Sequence, residues 1–218
     1  MKKRILCYGD SNTFGYMPAG MGERYGEAVR WPMKLQELLG SEYQIIEEGC
    51  SGRTTDLDGD IPWKNGRAFL KTALHSHKPL DMIILMLGTN DLKECFQRDA
   101  VQIAEAAGNL IGDAQEYFNE KKLAQPLIIL VSPVWIRESI VNGPFGDEFT
   151  MRSVRESQKF ANAYERISRE KNVLFFNAAE HAQASDTDGL HLDGDAHIRL
   201  AEALNIFVRN NLENIFRN

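Results

Sequence analysis

Four short stretches of this 218-residue chain hold residue types that can do chemistry together. Gly9-Asp10-Ser11-Asn12-Thr13 offers a hydroxyl. Glu48-Gly49-Cys50-Ser51-Gly52-Arg53 offers a glycine whose backbone N–H is open to close approach. Gly88-Thr89-Asn90-Asp91 offers a side-chain amide. Asp188-Gly189-Leu190-His191 offers a carboxylate three residues ahead of an imidazole. A free hydroxyl is a poor nucleophile at neutral pH and needs a base. His191 can take the Ser11 proton, and Asp188 can hold the imidazole tautomer and stabilise the imidazolium. Charge developing on a carbonyl oxygen needs preorganised donors. The backbone N–H groups of Ser11 and Gly52 and the amide of Asn90 can supply them. Together these residues could carry acyl transfer, with chain order Ser…Asp…His but no G-x-S-x-G elbow.

Each stretch also has a plainer reading. Asp10-Ser11-Asn12 is helix-capping chemistry. Asn90-Asp91 and Asp188-Gly189 are ordinary turn signals. Asp91 reads as a structural cap, and Asp10 as a brace for its turn. Ser51 is a rival nucleophile, but nothing pairs with it as His191 pairs with Ser11. His197 follows His191 by six residues, but Asp193 and Asp195 break the three-residue spacing. Asp195 reads as an N-cap with His197 in the first turn of the last helix. His75 and His77 fall near a helix end, where positive charge is favourable. His181 reads as a surface residue. Asp56-Leu57-Asp58-Gly59-Asp60 resembles a calcium loop at a glance. The EF-hand pattern needs Gly at the sixth position and Glu at the twelfth, where Ile61 and Arg67 stand. It reads as a solvated loop. No His/Cys/Glu cluster has zinc spacing, so no metal or cofactor is expected.

The elements that must position these residues alternate regularly. Arg4–Tyr8, Tyr43–Glu47, Asp81–Leu87, Leu127–Val131 and Val173–Phe176 are short apolar strands. Between and after them lie helices at Trp31–Leu39, Gly66–Ser76, Asp99–Lys122, Arg152–Glu170 and Asp195–Asn211. Asp81–Leu87 is almost continuously apolar, as in a strand buried on both faces. Repeated β-α units imply a parallel sheet with helices on both faces. In such α/β sheets ligands bind beyond the carboxyl ends of the strands. All four chemical stretches fall there. The chain reads as one doubly wound domain over residues 1–218.

The strings GDSNTFGYMP, Arg30-Trp31, IEEGCSGRTT, LMLGTND and DGLH resemble the SGNH (GDSL) hydrolase family, in its arylesterase/acyltransferase branch. The resemblance runs over nearly the whole chain. It implies a flavodoxin-like α/β/α sandwich with strand order 2-1-3-4-5. It implies a metal-independent esterase with Ser11 as nucleophile, Asp188 and His191 completing the triad, and Ser11, Gly52 and Asn90 forming the oxyanion hole. The substrate implied is a small acyl or aryl ester, with acyl transfer to alcohols in some members and homo-oligomers as assemblies. Asn12, Phe14, Trp63 and Trp135 are candidates to line the substrate pocket, and Tyr16 has similar claims. Pro133–Thr150 departs from the family strings, so substrate choice and assembly carry over least. A carbohydrate O-deacetylase, a lysophospholipase or thioesterase, and a non-catalytic flavodoxin-like binding module are the alternatives.

Composition narrows the classes further. There are 25 Lys and Arg against 31 Asp and Glu, a net charge of −6. A negative surface disfavours nucleic acid and anionic membranes as partners. Three cysteines, Cys7, Cys50 and Cys95, show no CxxC spacing, so free thiols are expected. No apolar stretch reaches transmembrane length, and Ile5–Tyr8 is too short for a signal-peptide core. The cytoplasm is the expected address.

Overall fold

A computed structural model describes residues 2–59 and 61–216, with side chains through 211. Its centre is a five-stranded sheet of β1 (Lys3–Gly9), β2 (Tyr43–Gly49), β3 (Met82–Met86), β4 (Leu127–Ser132) and β5 (Leu174–Asn177). The order is β2-β1-β3-β4-β5 and every pair is parallel. This is the order expected from the family resemblance. The helices are α1 (Ser11–Phe14), α2 (Trp31–Leu39), α3 (Gly66–His77), α4 (Ala100–Glu120), α5 (Met151–Ser157), α6 (Phe160–Lys171) and α7 (Gly194–Phe216).

Strand side chains alternate between faces with period two. Leu6 and Tyr8 of β1 join Ile83 and Leu85 of β3 in one core, covered by α3, α4 and α6. Ile5 and Cys7 join Met82, Ile84 and Met86 in the other, covered by α2 and α7. All five residues of β3 are buried, which explains its continuous apolar run. Asp99 caps α4 in a capping box with Gln102.

Three details differ from expectation. The helix expected over 152–170 is two helices. Within α5, the Ser157 hydroxyl donates to Val154 O (2.7 Å) and accepts from Ile136 N (3.0 Å). A serine bonded back to its own helix competes with the ladder and bends it. The cap of α7 is Asp193, not Asp195: Asp193 Oδ1 accepts from Ala196 N at 2.8 Å. The 56–60 segment is not simply solvated. Asp56 pairs with Arg98 at 2.6 Å, and Asp58 accepts from Asn65 at 2.8 Å. Asp60 lies outside the described residues. Cys7 is buried, Cys50 half-buried and Cys95 exposed, all as free thiols.

Candidate active site

The register of the sheet prepares the site. Gly9 at the end of β1 pairs with Gly49 at the end of β2. A Cβ on Gly49 would stand 2.2 Å from Phe14 N and 2.5 Å from its Cα. Only a glycine there lets α1 settle onto the strand end. Asp10 caps α1, its carboxylate accepting from Asn12 N at 2.9 Å. Burial pushes the Asp10 carboxyl up to about 6, against the pull of that N–H and of His191. Ser11 is therefore the first residue of a turn pinned from below and in front.

His191 arrives from the segment after β5. Its Nε2 lies 3.0 Å from Ser11 Oγ, and its Nδ1 lies 2.8 Å from Asp188 Oδ2. Asp188 Oδ1 accepts from the backbone N–H of Leu190 and of His191, both at 3.0 Å. Asp188 Oδ2 also accepts from Ala19 N at 3.1 Å. Burial of Asp188 opposes its charge, but the side-chain and backbone bonds from His191 prevail and hold its carboxyl below the usual range. Ser11, Asp188 and His191 are all buried.

The β2 loop carries Gly52 at φ +80°, a left-handed backbone that favours glycine. A Cβ there would also meet the Lys64 ammonium at 2.8 Å. Arg53 anchors this loop. Its buried guanidinium donates to Gly9 O (3.0 Å) and to Glu48 O, and lies over the Tyr8 ring. Asn90 Nδ2 donates to Arg53 O at 3.0 Å, so the amide from the β3 loop stands beside Gly52. One amide hydrogen remains for a ligand. Asp91 does not cap its own turn. It is fully buried and bridges loops, accepting from Thr55 N at 2.9 Å and from the Thr55 hydroxyl. Burial pushes the Asp91 carboxyl up to about 7, despite Thr55 and Arg98.

A model of the GDSL-like lipase/acylhydrolase family matches residues 7–201. The chain belongs to that family. Among solved structures it is similar to a carbohydrate acetylesterase from Sinorhizobium meliloti, at 33% identity and TM-score 0.89 over 96% of this chain and 99% of that one. It is similar also to an aryl esterase of M. smegmatis, at 32% identity and TM-score 0.88 over 95% and 99%. An acetylxylan esterase of Xylanibacter ruminicola is 34% identical over 143 residues. That match covers 60% of this chain but only 28% of the longer relative.

Within this GDSL-family chain the expected pocket-lining residues separate. Asn12 has both ends of its amide engaged with backbone. Its Oδ1 accepts from Leu192 N (2.9 Å) and its Nδ2 donates to Leu190 O (3.3 Å). The side chain clamps the Ser11 turn to the His191 segment. Phe14 is half-buried under the Arg24 guanidinium, 4.4 Å from its ring. Trp63 is 61% exposed on a short 3-10 turn. Trp135 is 47% exposed beyond β4. The rings that touch His191 are Tyr16, stacked at 4.3 Å, and Phe145, edge-on at 5.3 Å. Phe145 escaped the sequence reading because it sits in the Pro133–Thr150 loop, where no family string marks it. Ala19 escaped it because the contact is made by backbone. His197 is buried, accepts from Trp31 N through Nδ1 (3.3 Å), and is held neutral by burial, down to about 3. Among the described residues no group of His, Cys, Asp or Glu is arranged to hold a metal.

Proposed function

We propose that the chain hydrolyses short acyl esters of aryl or carbohydrate alcohols through an acyl-enzyme on Ser11. The observation that carries this is the hydrogen-bonded line Ser11 Oγ–His191 Nε2–Asp188 Oδ2, at 3.0 and 2.8 Å. His191 Nε2 takes the hydroxyl proton as Ser11 attacks the ester carbonyl, then gives it to the leaving alcohol. Asp188 keeps the other ring proton on Nδ1. The oxyanion is received by the N–H groups of Ser11 and Gly52 and by Asn90 Nδ2. Neither backbone N–H donates to another group among the described residues. Water then releases the acyl group. An alcohol in its place completes acyl transfer, which the product ratio in aqueous alcohol tests.

The short-acyl and alcohol classes are supported by the aryl esterase and the carbohydrate acetylesterase that align over nearly the full chain. Tyr16 and Phe145 add flat apolar surface beside His191, suited to an aryl ring or a sugar face. A fluorophosphonate probe with peptide mapping tests the mechanism. Ser11 is labelled in the folded protein, and Ser11→Ala abolishes the label and lowers p-nitrophenyl acetate turnover by about 10⁴-fold or more. A wild-type protein that stays unlabelled overturns the reading. Faster turnover of octanoyl than of acetyl esters overturns the short-acyl part alone.

A further inference from the structure

A second cleft opens beyond the C-terminal ends of β4 and β5, on the same sheet edge as Ser11. Its volume is about 420 Å³, within the range of about 300–1,000 Å³ usual for small-molecule sites. One wall is the exposed indole of Trp135. Around it stand Gln158, Gln183, Ser139, Arg137, Asp186 and the carboxylate of Glu138. Arg137 pairs with Asp186 at 2.5 Å and donates to Gln183 Oε1 at 3.0 Å. That leaves the Gln183 amide hydrogens, one Asp186 oxygen and the whole Gln158 amide facing outward without a partner among the described residues. The Ser139 hydroxyl, buried behind them, also has no partner among the described residues.

We propose that this cleft binds a saccharide. An aromatic plane beside amides, a paired arginine and the acceptor oxygens of Asp186 and Glu138 matches a pyranose, which has an apolar C–H face and a rim of hydroxyls that donate and accept. An aliphatic chain would leave the amides and the Arg137–Asp186 pair desolvated without partners. A phosphate or other anion would meet an arginine already neutralised. The choice of a saccharide rests on the carbohydrate-ester reading above. The cleft and the candidate active site share one piece of chain. The segment after β5 doubles back, with Ser185 N donating to His191 O at 2.7 Å and Ala184 bridging Leu192. One arm carries Gln183 and Asp186 into the cleft, and the other carries His191. Arg137 N also donates to Gly189 O at 2.8 Å. A glycan seated on Trp135 therefore lies against the outer side of the loop that holds Asp188.

Isothermal titration with unacetylated xylotetraose tests this on the full chain. The ligand has no ester, so the signal is independent of turnover. The wild type binds saturably at millimolar concentration. Trp135→Ala weakens binding by about tenfold or more, Trp135→Tyr restores most of it, and Gln183→Ala weakens it in a background that keeps the indole. If Trp135→Ala does not fold, Gln183→Ala and Trp135→Tyr decide. No binding by the wild type, or binding undiminished in the variants, overturns the proposal. Absent binding with Ser11 still labelled overturns the cleft alone. Binding with Ser11 unlabelled overturns the esterase mechanism alone.

Discussion

Asn12 shows how far a side chain's direction outweighs its position in the chain. It follows Ser11, the proposed nucleophile, directly and so invites the reading of a pocket residue. Instead both ends of its amide are committed to the backbone of Leu190 and Leu192, on either side of His191. Its effect on chemistry runs through the Ser11–His191 distance. A misplacement of about 1 Å between reacting groups can cost roughly 10²-fold in rate. Asn12→Ala is therefore expected to lower kcat on p-nitrophenyl acetate by about 10- to 100-fold with little change in KM. A pocket-lining role would move KM and leave kcat near the wild-type value, so steady-state kinetics separate the two. Asp188 works by similar means. Its four accepted bonds fix the carboxylate from the segment's own backbone, from His191 and from Ala19, leaving it one orientation.

At the scale of elements, the site depends on α1 lying against the end of β2. Gly49 is the contact. Backbone atoms of Thr13 and Phe14 fill the space a Cβ would take, the nearest at 2.2 Å. Backbone cannot yield as a flexible side chain can, so Gly49→Ala must shift α1. Overpacking of this kind costs about 1–3 kcal/mol, and here the displaced element carries Ser11. Thermal unfolding and p-nitrophenyl acetate kinetics are expected to show Tm and kcat falling together. A loss of Tm with kcat intact would mean that β2 moves and α1 does not. This also explains what could be read from sequence. Ser11, Asp188 and His191 were legible because short motifs at strand ends bring their own turns with them. The sheet order was legible only through the family resemblance, but the strands themselves follow from apolar runs closed by Gly9, Gly49 and Gly88. The break between α5 and α6 was not legible, because the Ser157 hydroxyl that bonds back to Val154 O is held there by Ile136 N, a contact between segments. Phe145 and Tyr16 meet at His191 from two different loops, and spacing along the chain carries no trace of that meeting.

At the scale of the whole molecule, the active edge is built on buried ionisable groups, and they act on stability in opposite senses. Asp91 and Asp10 are raised by burial to about 7 and about 6, from an ordinary value of 3.8. Between pH 3.8 and those values the folded chain keeps protons that the unfolded chain has released. Their contribution is thus fully favourable at low pH and is lost as pH rises through that window. His197 is lowered by burial from 6.5 to about 3. It is neutral when folded and charged when unfolded, so its contribution is lost as pH falls below 6.5. The two slopes overlap, and the raw curve of Tm against pH is flattened by their opposition. Comparison of variants separates them. Asn at position 91 keeps an oxygen for Thr55 N–H but has no charge to desolvate. The Tm of Asp91→Asn relative to wild type is expected to rise steadily from about pH 4 to about pH 7 and then level off. The His197→Phe difference should run the other way, its relative gain largest at low pH and gone above about pH 6.5. A gap between Asp91→Asn and wild type that stays constant from about pH 4 to about pH 8 would mean that Asp91 ionises alike in both states. The bridge from the β3 loop to Thr55 would then hold without any protonic penalty, and the burial of Asp91 would have to be offset by Arg98, 3.6 Å away.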